Sequence, residues 1–167
     1  MGKKITISLS ESSINRAIRQ LENYQKTIKK KTDEICRRLA DYGLVLAQSS
    51  FDSASFDYVG PVENHVTVES TSNGYRIIAS GRTVLLFEFG AGITYGKGHP
   101  KPMGFGPGTY PGQTHALTGE GWYLPKAVLG RTGVHTYGNP PSMAMYNASQ
   151  EIRDEVERIA REVFASD

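Results

Sequence analysis

The stretch Ile14-Asn15-Arg16-Ala17-Ile18-Arg19-Gln20-Leu21 opens a run with neither glycine nor proline before Gly43, and its reading decides the fold. Ile14, Leu21, Ile28, Ile35 and Tyr42 recur every seven residues, and a second track four residues on holds Ile18, Gln25, Thr32, Leu39 and Leu46. A seven-residue period sets both tracks on one face of a helix. The second track turns polar at Gln25 and Thr32, beside the basic Lys29-Lys30-Lys31, which marks a kink or a more solvated stretch. Upstream, Ser10, Ser12 and Ser13 offer N-cap oxygens, and Glu11 suits the positive end of a helix. A freestanding coiled coil and a helix lying on a sheet and a neighbouring subunit both fit the seam. Strand signals elsewhere, which need cover, favour the second.

Those signals are short. Lys4-Ile5-Thr6-Ile7-Ser8-Leu9 alternates polar and apolar, as a strand does. Phe51–Pro61 has no period and reads as a loop. Val66 and Val68 then alternate with Thr67 and Glu69, Ser72-Asn73-Gly74 supplies a turn, and Tyr75-Arg76-Ile77-Ile78-Ala79 returns as the partner strand. After Gly81-Arg82, the apolar run Val84-Leu85-Leu86-Phe87-Glu88-Phe89 reads as a third strand of an antiparallel meander. At the far end, Met145, Ala148, Ile152, Ile159 and Val163 make one face of an amphipathic helix, with Glu151, Asp154, Glu155, Glu157 and Arg158 outside and Ser142 placed to cap it. The expected fold class is α+β: a small antiparallel sheet packed by a long N-terminal helix and a C-terminal helix. With no repeat and no linker, residues 1–167 read as one domain.

Between these elements lies an excursion. Residues 90–141 hold 13 of the 18 glycines, 7 of the 8 prolines and three of the four histidines. A structureless segment of that length inside a compact domain points to function or to order gained on assembly. Within it, Gly121-Trp122-Tyr123-Leu124 and Val134-His135-Thr136-Tyr137 are expected to pair as a small hairpin. Charge is also uneven. Residues 1–50 carry ten Lys/Arg against five Asp/Glu, and residues 143–167 three against six, so the terminal segments are expected to face each other within a subunit or across an interface. The net charge of +2 argues against a basic nucleic-acid coat. No apolar run reaches the length of a membrane span, and the N-terminus lacks the apolar core of a signal peptide. The lone Cys36 cannot form an internal disulfide and reads as an inert, buried helical thiol in a reducing compartment.

Glu88 within Phe87-Glu88-Phe89 suits a general acid or base if buried, or else a residue on the solvent face or one that accepts backbone amides. His99, His115 and His135 lack the close spacing of metal ligands on one helix or knuckle. Gly90-Ala91-Gly92, Gly96-Lys97-Gly98 and Gly104-Phe105-Gly106-Pro107-Gly108 lack the Gly-Lys-Ser/Thr and following helix of a phosphate loop. No Gly-x-Ser-x-Gly occurs. No catalytic constellation, metal site or cofactor is expected.

Leu86-Phe87-Glu88-Phe89-Gly90-Ala91-Gly92 resembles the signature of a tail-component family of long-tailed bacteriophages, whose members are called head–tail joining or tail-completion (neck) proteins. Two further segments resemble that family in the same order: Gly121-Trp122-Tyr123-Leu124-Pro125 and Gly138-Asn139-Pro140-Pro141-Ser142-Met143-Ala144-Met145-Tyr146-Asn147. Ala91 stands where the family usually has Thr, and the Thr-Gly-x-Leu that often precedes its first hairpin is missing. The resemblance implies a virion structural protein, not an enzyme, assembled in the bacterial cytoplasm as a homo-oligomeric ring at the neck. Its partners would be the head connector and the tail-tube or tail-terminator proteins, with no membrane and no specific nucleic acid. Glu88, Phe89, Gly90, Trp122, Pro140 and Pro141 are then the structural motif. Lys29, Lys30, Lys31, Phe105, Tyr110, Tyr123 and Glu155 are interface candidates. The arm Ala91–Asn139 is expected to be mobile in the free subunit and to order on assembly, burying Phe105, Tyr110, Trp122 and Tyr123. The alternatives are a metal-dependent hydrolase using Glu88 with His99, His115 or His135, and a nucleic-acid-binding module using the basic N-terminal helix.

Overall fold

A computed structural model of the chain describes residues 6, 8–54, 64–92, 99–100, 119–123 and 135–166. The long helix α1 spans Glu11–Ser53, and its 43 residues make a rod of about 64 Å at 1.5 Å per residue. Ser10 is the N-cap as expected: its backbone is extended and its hydroxyl accepts the Ser13 N–H at 3.4 Å. The helix continues through Phe51–Ser53, where the sequence reads as loop, because Phe51 is drawn into the core. Of the expected strand Lys4–Leu9, Thr6, Ser8 and Leu9 are described and none is in a strand; the other three residues lie outside the described residues.

Strands β1 (His65–Thr71) and β2 (Gly74–Ser80) form an antiparallel hairpin, with Thr71 opposite Gly74 and Val68 opposite Ile77. The third strand does not form. Val84–Phe89 is instead a six-residue helix, α2, so among the described residues the sheet has two strands and the meander is a hairpin. Leu86, Phe87 and Glu88 are all buried, a three-in-a-row burial that a strand with one solvated face does not allow. The expected second hairpin is present, with β3 (Trp122–Tyr123) antiparallel to β4 (His135–Thr136). Helix α3 covers Ala144–Ala165.

α1 and α3 pack antiparallel. Near one end of α3 the Lys31 Nζ donates to the Val163 carbonyl at 3.1 Å and lies 5.2 Å from the centre of the Phe164 ring. Further along, Gly43 meets Ile152 so closely that a Cβ built there would stand 2.3 Å from its Cδ1. The face of α1 against α3 and the hairpin is centred on Ala40, Gly43, Ala47 and Phe51. Leu39, Tyr42 and Leu46, from the expected tracks, flank it half-buried. Small residues let the two helix backbones approach, and the core closes from Ala47, Phe51, Val66, Phe87, Ala144 and Ala148. Gln48 of α1 ties the hairpin edge on: its Oε1 accepts the Val66 N–H at 2.8 Å and its Nε2 donates to the Asn64 carbonyl at 3.1 Å. Cys36 is half-buried rather than buried. Among the described residues, no helix is long and apolar enough to cross a membrane.

Candidate functional site: the Glu88 junction

The two ends of the excursion meet. The backbone N–H and carbonyl of Ala91 bond those of Asn139 at 3.0 and 2.9 Å, an isolated antiparallel bridge that closes the base of the segment. The crossing requires glycine. Gly90 leaves α2 at φ +75°, and Gly138 sits at φ +107° with the Ala91 oxygen 1.9 Å from where a Cβ would stand. Asn139 is 1 % exposed, and its Nδ2 donates to the Leu86 carbonyl and to that of Pro140, both at 3.0 Å. Ser142 donates twice to the Phe87 carbonyl, from its N–H at 2.7 Å and its hydroxyl at 2.9 Å. The open C-terminal carbonyls of α2 are thus satisfied by the segment that leads into α3.

Glu88 lies at the centre. It is 5 % exposed, and its Oε2 accepts the Met145 N–H at 2.8 Å while its Oε1 accepts the Tyr146 N–H at 2.9 Å. These are first-turn amides of α3, so a carboxylate from α2 caps a helix that begins 56 residues later in the chain. The placement suits the positive end of the helix dipole. The expected cap, Ser142, is turned back to α2 instead, and the N-cap position falls to Met143 in a left-handed conformation (φ 56°) with no side-chain cap bond. Pro140 and Pro141 hold the preceding chain extended. The sequence admits the acceptor role for Glu88, but nothing in it points to the amides of the last helix.

His99 completes the junction. Its Nε2 is 3.2 Å from Glu88 Oε1, and its ring packs 4.5 Å from Phe89 and 5.3 Å from Tyr146, centre to centre. Glu88 and one of its candidate histidines therefore meet, but His135 is elsewhere, on β4, with its ring 5.0 Å from both Tyr123 and Tyr137. His115 lies outside the described residues, as do Phe105 and Tyr110. Among the described residues, no three His, Cys, Asp or Glu side chains cluster as metal ligands.

Of the interface candidates, Lys29 and Lys30 are exposed and Tyr123 is 69 % exposed. Trp122 is half-buried in the small hairpin. Lys31 is used inside the subunit, holding the Val163 carbonyl near the end of α3, and Glu155 pairs with Arg158 on its own helix. The terminal charges do face one another in part: Lys31 meets the C-terminus of α3, and Arg38 lies 4.0 Å from Glu162. Comparison of the chain with protein-family models, with curated proteins and with solved structures found no match.

Proposed function

We propose that this chain is a virion structural protein of the bacteriophage neck, a tail-completion or head–tail joining component that assembles as a homo-oligomeric ring between the head connector and the tail tube. One observation carries the reading. Leu86–Gly92 and Gly138–Asn147, two of the segments that resemble the family, form a single hydrogen-bonded junction in which Glu88, Ala91, Asn139 and Ser142 each hold a partner from the other segment or from α3. Residues shared for that purpose serve a scaffold that joins the two ends of a long excursion. Both oxygens of Glu88 accept helix amides, which suits support rather than proton transfer to a substrate.

The test is genetic and visual. A phage or prophage carrying this gene, with the gene deleted, should yield DNA-filled heads and complete tails that stay unjoined in electron micrographs, and supply of the chain in trans should restore joined particles. Normal virions without it would overturn the reading. So would a stoichiometric metal ion bound to the purified chain together with hydrolytic activity that Glu88→Gln abolishes.

A further inference from the structure

Helix α1 is nearly twice the length of α3, and α3 ends beside Lys31. The first twenty residues of α1, about 30 Å of helix, therefore project past the helix pair. Of residues 11–30 only Ser13, Ala17 and Ile28 are not exposed. The projecting length nevertheless carries apolar side chains at helical spacing: Ile14, Ile18, Leu21 and Tyr24 are 42, 47, 53 and 57 % exposed. A contiguous apolar stripe on a solvated helix marks a contact surface. The subunit's own α3 cannot cover it, because α1 is a continuous helix and α3 has already ended.

Charge selects the occupant. Arg16, Arg19, Lys26, Lys29 and Lys30 line the projecting length against only Glu11 and Glu22, and none of the five makes an ion pair among the described residues. Two such segments side by side would repel. The solvent side of α3 is acidic on balance: Glu151 and Asp154 are exposed with no ion pair among the described residues, near Glu157 and against Arg153, likewise without one. Phe164, close to Glu157 on the helix surface, is 47 % exposed at the end of α3 and adds apolar area beside Lys31.

We infer that the projecting half of α1 docks, through Ile14, Ile18, Leu21 and Tyr24, on the solvent side of α3 of a second copy of this chain. In naming a copy as the partner, the inference rests on the ring assembly proposed above. The contact is heterologous, one surface meeting a different one, so repetition closes into a ring or extends as a filament. Glu151 and Asp154 supply the counter-charge that sets register and speeds encounter.

The full chain in low salt should give oligomers by native mass spectrometry and light scattering. Leu21→Asp, at a solvent-exposed site that spares the core, should leave the helical circular dichroism unchanged and weaken association at least about tenfold. Lys26→Glu/Lys30→Glu and Glu151→Lys/Asp154→Lys should each dissociate alone and reassemble when mixed, because mixing restores opposite charges at both kinds of contact. A wild-type chain that stays monomeric, variants that associate like wild type, or a mixture that fails to reassemble each overturns the contact. So does tight, salt-dependent binding of duplex DNA by the projecting segment in place of self-association. Oligomers that survive every variant point to another surface and leave the neck reading standing; only the gene-deletion experiment removes that one.

Discussion

Glu88 carries more of the fold than its neighbours in sequence suggest. Its carboxylate holds the first turn of α3 and the ring of His99 at once, both from segments distant in the chain. Glu88→Ala would orphan two partly buried amides, and chemical denaturation should show a loss of about 1–3 kcal/mol. Glu88→Gln keeps the shape but turns an amide N–H towards one backbone donor, so a smaller loss of about 1–2 kcal/mol is expected. A change within 0.5 kcal/mol, on the order of an ordinary surface substitution, would sink the capping role. The residue type was legible in the sequence, since a carboxylate ahead of a glycine can accept amides. The identity of those amides was not, because no local pattern links Glu88 to Met145 and Tyr146.

Elements were legible in proportion to their length and their punctuation. α1 declared itself by a long run free of breakers behind a serine cap, and the hairpin by alternation around Ser72-Asn73. α2 did not. Six apolar residues between turn signals fit a buried strand and a buried helix equally, and only tertiary contact decided between them. The buried face of α1 was also displaced from the heptad tracks, since the small residues Ala40, Gly43 and Ala47 set the closest approach to α3 and carry little apolar signal of their own. At mid-helix, Glu34 bonds Arg38 at 2.6 Å and Arg37 at 3.0 Å. The hydrogen bonds from Arg38 and then Arg37 hold its carboxyl below the usual carboxylate range. A lowered folded value stabilises above the unfolded pKa, and that stability is lost as pH falls through the folded one. Thus wild type should exceed Glu34→Gln in urea midpoint at neutral pH, and the gap should shrink below about pH 4. A gap that is unchanged in acid would show that these pairs, exposed as they are, contribute nothing through charge.

For the whole molecule, the helix pair, the first hairpin and the Glu88 junction form a base that is complete where the excursion begins and ends. Gly92 and Gly138 touch, with a Cβ on Gly92 falling 3.2 Å from the Gly138 Cα. Replacing residues 93–137 by a short Gly/Ser linker should therefore leave the far-ultraviolet helical signal and a cooperative thermal transition intact, apart from the loss of the His99 contact. A non-cooperative melt would show that the base depends on the excursion. Because closing a chain between two ends already in contact changes in free energy only slowly with length, by about 0.6 kcal/mol per doubling, the segment between the glycines behaves as a cassette. Insertions, deletions and wholesale exchange there should leave its foundation folding unchanged.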